Sequence, residues 1–93
     1  MKVKANNKEL KALYEAILKL ENVDECKKFL RDLCTVSELG SMAERLAVVK
    51  MIESKIPYRE ISKKTGSSTA TITRVAHWLH HGKGGYKLIL ERT

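Results

Sequence analysis

The stretch from Lys55 to Trp78, KIPYREISKKTGSSTATITRVAHW, constrains the fold of this 93-residue chain more than any other. It reads as two short helices around one glycine turn. Pro57 suits a first-turn position, where its missing N–H would be unpaired in any case. Tyr58 to Lys64 then gives about two turns, with Ile61 as the inward anchor. Gly66 falls where the helix must stop and the backbone needs a positive φ, which glycine adopts without a Cβ clash. Ser67 and Ser68 follow as N-cap candidates. From Thr69 a second helix places Ile72, Val75, Ala76 and Leu79 at the i, i+3, i+4, i+7 spacing of a buried stripe. Its opposite face shows Thr69, Ala70, Thr73, Arg74 and His77, short side chains and an arginine with no acid among them. A helix lying in a DNA major groove needs that profile: small enough to reach base edges, with nothing to repel phosphate.

Charge placement points the same way. The net charge is +7, but residues 1–54 carry 10 Lys/Arg against 9 Asp/Glu, whereas residues 55–93 carry 8 against 2. The excess therefore sits on the half that holds the helix-turn-helix, as a phosphate-binding footprint would. Hydrophobic residues make up 43% and aromatic residues only 5%, so the core must come from Leu, Ile, Val and Ala. A monomer of this size buries a limited share of its surface, and association between chains would add to it.

Residues 1–6 read as a short basic arm. A first helix is expected from Asn7 to Leu20, with Leu10, Leu13, Tyr14, Ile17 and Leu20 on one stripe. Asn22-Val23-Asp24 recaps the chain, and a second helix runs to about Cys34, burying Val23, Cys26, Phe29, Leu30 and Leu33. Its other face mixes Glu25, Lys27, Lys28, Arg31 and Asp32, as a solvated surface does. Thr35 to Glu38 has capping-box spacing. It opens a third helix to about Ser54, with Leu39, Met42, Ala43, Leu46, Val49 and Ile52 inward. That is the longest helix and the central strut, although Gly40 costs it up to about 1 kcal/mol against alanine. After the helix-turn-helix, Gly82 to Gly85 form a flexible turn. A final helix, Tyr86 to Arg92, presents Tyr86, Ile89 and Leu90 for packing. Thr65 and Ser67 flank the glycine turn at positions where such motifs often place aliphatics, so the apolar pattern alone does not fix how firmly the two helices pack. No segment alternates with period two for long enough to be a strand, and the expected class is all-α.

Other chemistries find little support. Cys26 and Cys34, about 12 Å apart along one helix, are too distant for a disulfide and read as two buried free thiols. His77 and His81 at i, i+4 have a spacing that can hold a metal, but no Glu follows His77 and no third ligand is near in sequence; exposed or phosphate-proximal histidines are the reading. Gly82-Lys83-Gly84-Gly85 lacks the Gly-Lys-Ser/Thr end of a P-loop and follows a helix instead of a strand. Nothing pairs a nucleophile with a base, so no enzyme, metal or cofactor is expected. No apolar run is long enough to span a membrane, and MKVKANNKEL lacks the apolar segment of a signal peptide, which makes the cytoplasm the expected compartment.

At ATITR, Ala70 to Arg74, the chain resembles the Trp repressor superfamily. The likeness runs back through GSSTATITR and the long helix LGSMAERLAVVKMIESK. LYEAILKL, DLCTVSE, SMAERL and the glycine turn with its Tyr-containing tail resemble the TrpR-related YerC/YecD-type branch, so that most of the chain is covered. The resemblance implies an all-helical, intertwined homodimer over residues 1–93. Residues 1–54 would be dimerisation helices, 55–81 the helix-turn-helix, and 82–93 the turn and last helix. Two recognition helices would then enter successive major grooves of double-stranded DNA, through an interface expected to be mostly water-mediated.

By the family's pattern, Tyr58, Arg59, Ser62, Thr69, Ala70 and Thr73 match DNA-contacting positions. On the residues alone, Arg59, Lys63 and Arg74 suit phosphates. Thr69, Ala70 and Thr73 suit direct or water-bridged base contact, and Ser68 belongs with them at the helix start. Family members hold a tryptophan corepressor between two arginines in a small-residue pocket. Arg74 matches one arginine, but Glu44 stands in place of the other, Trp78 in place of a serine, and Val75 in place of a glycine. Glu44, Arg74 and Trp78 therefore mark a candidate effector pocket in which tryptophan is not the expected ligand. Trp78 is read as core or dimer-interface packing, with the alternative that it props Arg74 and the recognition helix. The expected function is a sequence-specific DNA-binding regulator, a repressor by preference. The alternatives are a protein-interaction adaptor or a non-specific nucleic-acid-binding protein.

Overall fold

A computed structural model of the chain describes residues 6–93, which form six helices and, among the described residues, no strand. The basic arm expected at residues 1–6 lies, except for Asn6, outside the described residues. The chain divides into two compact units, residues 1–36 and 37–93.

The first unit holds α1 (Asn7–Leu18) and α2 (Val23–Leu33). Asn6 and Asn22 cap them: Asn6 Oδ1 accepts from the Lys8 N–H at 2.7 Å, and Asn22 Oδ1 from the Glu25 N–H at 2.9 Å. The Glu25 carboxylate in turn accepts from the Glu21 N–H at 2.9 Å, so both side chains satisfy donors that a helix start leaves unpaired. Helix α1 stops two residues before the expected Leu20. Lys19 and Leu20 instead donate back to Ala16 and Ile17, both at 3.1 Å, the tightened last turn common at helix ends. Cys34 likewise falls outside α2, at its extended C-cap, and both cysteines are free thiols that are half-buried, not buried. Neither helix buries any residue. The expected stripes are only partly covered: Leu10, Leu13, Leu20, Cys26, Phe29 and Leu30 are half-buried, while Tyr14, Ile17, Leu33 and Val23, at 84% exposure, face outward.

The second unit is built on α3 (Val36–Glu53), which runs through Gly40 without a break. It is followed by α4 (Tyr58–Thr65), α5 (Thr69–His81) and α6 (Gly85–Glu91). Its core gathers Val48 and Val49 of α3, Ile61 of α4 and Ile72, Val75 and Leu79 of α5, with Met51, Ile52, Ile56, Tyr86 and Leu90 packed against them. The expected stripe of α3 holds at Val49 and, partly, at Leu39, Leu46 and Ile52, but Met42 and Ala43 are exposed and Val48 is fully buried. Apolar side chains cover more than one face of this helix, so periodicity alone does not select the one that meets α4 and α5. In α6, Tyr86 and Leu90 pack while Ile89 stays exposed.

The link from α3 to α4 is a feature that the sequence did not announce. Lys55 sits in the left-handed region at φ 62°. Ile56 donates to the Met51 carbonyl at 3.1 Å and Lys55 to the Ile52 carbonyl at 2.9 Å. These are the paired bonds of a Schellman cap, with Ile56 and Met51 as its hydrophobic contact. A lysine in that conformation costs about 1–2 kcal/mol relative to glycine's freedom there. Lys55→Gly should therefore raise stability by about 1 kcal/mol, a shift of roughly 4–8 °C in Tm at fixed protein concentration. An unchanged or lower Tm would show that Lys55 is not strained.

Candidate nucleic-acid interface

Helix α4 has eight residues, too few to persist alone in water, and its position is set by Ile61, which is 0% exposed. Pro57 occupies the N-cap, one place before the expected first turn, with φ −58° and ψ 144°. Gly66 takes φ 79° and donates to the Ser62 carbonyl at 2.9 Å, closing α4 with a left-handed residue as expected.

Hydroxyls tie the turn where such motifs often place aliphatics. Thr65 Oγ1 donates to the Ile61 carbonyl at 2.8 Å and accepts from the Ser67 N–H at 3.1 Å. Ser62 Oγ donates to the Ser67 carbonyl at 2.7 Å. Both backbone polar groups of the buried Ser67 are thereby satisfied by side chains of α4, and the turn is cross-tied rather than loose. The Ser67 hydroxyl itself is buried without a partner.

Of the two serine caps expected, Ser68 is the one used. Its Oγ accepts from the Thr71 N–H and donates to Thr71 Oγ1, both at 3.1 Å. Ile72, Val75, Ala76 and Leu79 are all buried, which fixes the rotation of α5 and leaves Thr69, Ala70, Thr73, Arg74 and His77 outward. No acidic residue lies in the first turn of α5. On α4, Tyr58, Arg59, Lys63 and Lys64 are exposed, while Ser62 is half-buried with its proton committed to the turn. The residues singled out as DNA-facing thus lie on two adjoining helices, with Ser62 at the seam.

The three residues of the candidate effector pocket come together. Glu44 and Arg45 of α3 and Thr71, Arg74, Val75 and Trp78 of α5 line one cleft of about 470 Å³, with Ser41 and Tyr86 at its edges. A second, more apolar cleft of about 510 Å³ adjoins it through Trp78 and Tyr86 and is lined also by Leu46, Gly82, Lys83, Gly85 and Ile89. Arg45 went unnoticed in the sequence although it is the neighbour of Glu44, and Tyr86 was read only as packing. Trp78 is not core: it is 53% exposed, and its ring meets the edge of His77 at a centroid distance of 5.5 Å. Gly82 is required just beyond, because a Cβ there would collide with the Trp78 carbonyl that its own N–H binds at 2.9 Å. No helix among the described residues is long and apolar enough to cross a membrane.

Comparison with known proteins gives a consistent result. A family model described as Trp repressor protein matches residues 8–93. YerC of Bacillus subtilis strain 168, itself uncharacterised, is 43% identical over 89 residues, which are 96% of this chain and 86% of that protein. The crystal structure of a TrpR-like protein from Eubacterium eligens superposes with a TM-score of 0.89 at 41% identity, covering 92% of this chain and 89% of that one. A candidate Trp repressor from Staphylococcus aureus gives 0.88 at 46% identity, over 94% and 87%.

The cap of α5 provides a direct check on the local geometry. Ser68→Ala removes the acceptor for the Thr71 N–H and should cost about 1 kcal/mol, seen as a lower urea midpoint with unchanged m-value. Ser67→Ala, which removes a hydroxyl that has no partner, should not destabilise. Equal losses in the two variants would mean that the cap is misassigned.

Proposed function

This chain belongs to the Trp repressor family, in its YerC-type branch, and on that premise we propose that it is a sequence-specific DNA-binding regulator, a repressor, acting in the cytoplasm. The observation that carries the reading is the outward face of α5. Thr69, Ala70, Thr73 and Arg74 are exposed together, no acid lies in the first turn, and four buried residues hold the helix from behind. In this reading Thr69, Ala70 and Thr73 meet base edges directly or through water. Arg59, Lys63 and Arg74 hold phosphates, and Tyr58 and the half-buried Ser62 line the approach. Ser68 orients the first turn of α5, whose N–H groups carry the positive end of the helix.

The working unit is proposed to be a homodimer. Helices α1 and α2 bury nothing and expose Tyr14, Ile17, Leu18, Val23 and Leu33. Apolar surface on that scale favours a partner, and a second copy would supply the two-fold pairing of recognition helices that major-groove readers use. Trp78, Leu88 and Ile89, exposed apolar side chains of the second unit, are proposed as further dimer contacts. We place an effector in the cleft of Glu44, Arg74 and Trp78, and not tryptophan. A carboxylate at Glu44 opposes an incoming ligand carboxylate, and the indole of Trp78 occupies the edge where another indole would enter.

Selection of sheared genomic DNA on the purified protein, followed by sequencing of the retained fragments, tests the reading. Enrichment of a two-fold symmetric site with half-sites about one helical turn apart is expected; retention of bulk DNA with no enrichment, with or without added amino acids, would refute sequence specificity. On the enriched site, Thr73→Glu should reduce affinity to the non-specific level, about 10³-fold or more, with helix content by circular dichroism unchanged. Arg59→Ala should weaken all duplexes alike and flatten the salt dependence by about one unit per protomer. A sequence-selective loss at Arg59 would move that residue from phosphate to base contact. Added tryptophan should leave the affinity for the site unchanged.

A further inference from the structure

His77 and His81 stand one turn apart on α5, both exposed, and His81 has no part in the DNA-facing set. Their ring centroids are 5.2 Å apart with the planes tilted by 44°. Two imidazoles bound to one metal ion through bonds of about 2.0–2.1 Å at a tetrahedral angle have centroids roughly 5 Å apart. The pair is therefore already at chelating separation, with the helix fixing both stems. Its place on the helix helps too. Both residues lie in the C-terminal half of α5, toward the negative end of the helix dipole, where a cation is stabilised.

We propose that His77 and His81 form an open two-histidine site for a late first-row divalent metal ion of the Ni²⁺, Cu²⁺ and Zn²⁺ class, which imidazole ligands suit. Among the described residues no cluster of three His, Cys, Asp or Glu side chains could hold an ion. The remaining coordination positions therefore belong to water or to an external ligand. Affinity comes from chelation: once one imidazole is bound, the other meets the ion at high effective concentration, and loss of either removes that gain. His80 is an internal control. It is exposed, and its ring lies 6.4 Å from that of His81 at 67°, wider than the chelating pair. The bound ion would clip the last turns of α5 and place positive charge beyond Arg74. The site itself stands independently of whether α5 binds DNA.

Ni²⁺ titrated into the full-length protein provides the test, with Trp78 as the reporter. It is the single tryptophan in the chain, and the His77 ring meets it at 5.5 Å, so a paramagnetic ion at His77 should quench its fluorescence. Saturable quenching is expected, with one ion per chain by equilibrium dialysis and displacement by Zn²⁺. His77→Ala and His81→Ala should each weaken binding by about tenfold or more in the dialysis readout, while His80→Ala should stay within about twofold. All three residues are exposed, and circular dichroism should show each variant folded. Absence of saturable binding would overturn the proposal. So would equal weakening by all three variants, the signature of scattered surface imidazoles, or no weakening by His77→Ala and His81→Ala.

Discussion

The burial of Ile61 within the cluster of Val48, Val49, Ile72, Val75 and Leu79 is the interaction on which the rest of the second unit depends. Eight residues of α4 cannot hold a helical conformation by propensity, and the burial of one isoleucine side chain is worth about 1.5–3 kcal/mol. Once Ile61 is seated, the left-handed Gly66 turns the chain and the hydroxyls of Ser62 and Thr65 bind both backbone polar groups of Ser67. Ser68 can then cap α5. Each step is local, yet together they decide which side of α5 faces outward. A rotation of about 100°, one residue's worth, would bury Thr73 in the place of Ile72 and bring Val75 to the surface in the place of Arg74, erasing the polar face.

Much of this was legible in the sequence because the deciding signals are short-range and mutually consistent. The glycine, the serine cap and the four-residue stripe of α5 all demand the same geometry, and the structure has it. The misreadings arose where a residue has two plausible partners. The pattern of α3 favoured Met42 and Ala43, but its other face carries Val48, and only the placement of α4 and α5 decides between them. Trp78 is not core, because the core of the second unit closes with Val75 and Leu79 on the adjacent face of the same helix; its exposure is compatible with the other expectation, packing at an interface. The Schellman cap at Lys55 was invisible, since lysine is not the residue that such a turn selects. The firmness of the turn was not legible from the apolar pattern, because it rests on the hydroxyls of Ser62 and Thr65, which bind the backbone of Ser67 as no aliphatic pair could.

The two halves of the chain solve different physical problems. In residues 37–93, six buried apolar side chains form a cluster that needs no further cover. In residues 6–36, capped helices carry apolar stripes with no buried residue at all. Helix capping by Asn6 and Asn22 fixes the ends of α1 and α2 but contributes only about 1 kcal/mol each; it cannot offset the ordering entropy of two helices that bury so little. The nearly balanced charge of residues 1–54 is consistent with surfaces that must associate, and the basic excess from residue 55 onward with a surface that attracts polyanions. The two divisions do not coincide: the charge changes at residue 55, whereas the compact units divide at residue 36, so α3 belongs to the second unit while sharing the balanced charge of the first.

The cleft proposed for an effector is lined by groups of both charges. Arg74 remains on α5, flanked by the outward residues Thr73 and His77, so an occupant that engages it acts directly on the helix that would meet DNA. Opposite stands Glu44, with Arg45 beside it on the same helix, so the cleft offers one acid and two bases instead of a wholly basic rim. A ligand bearing a single anionic group gains at Arg74 and loses at Glu44. The more apolar cleft reached past Trp78 and Tyr86 adds room for a side chain. Trp78 and Tyr86 line both clefts.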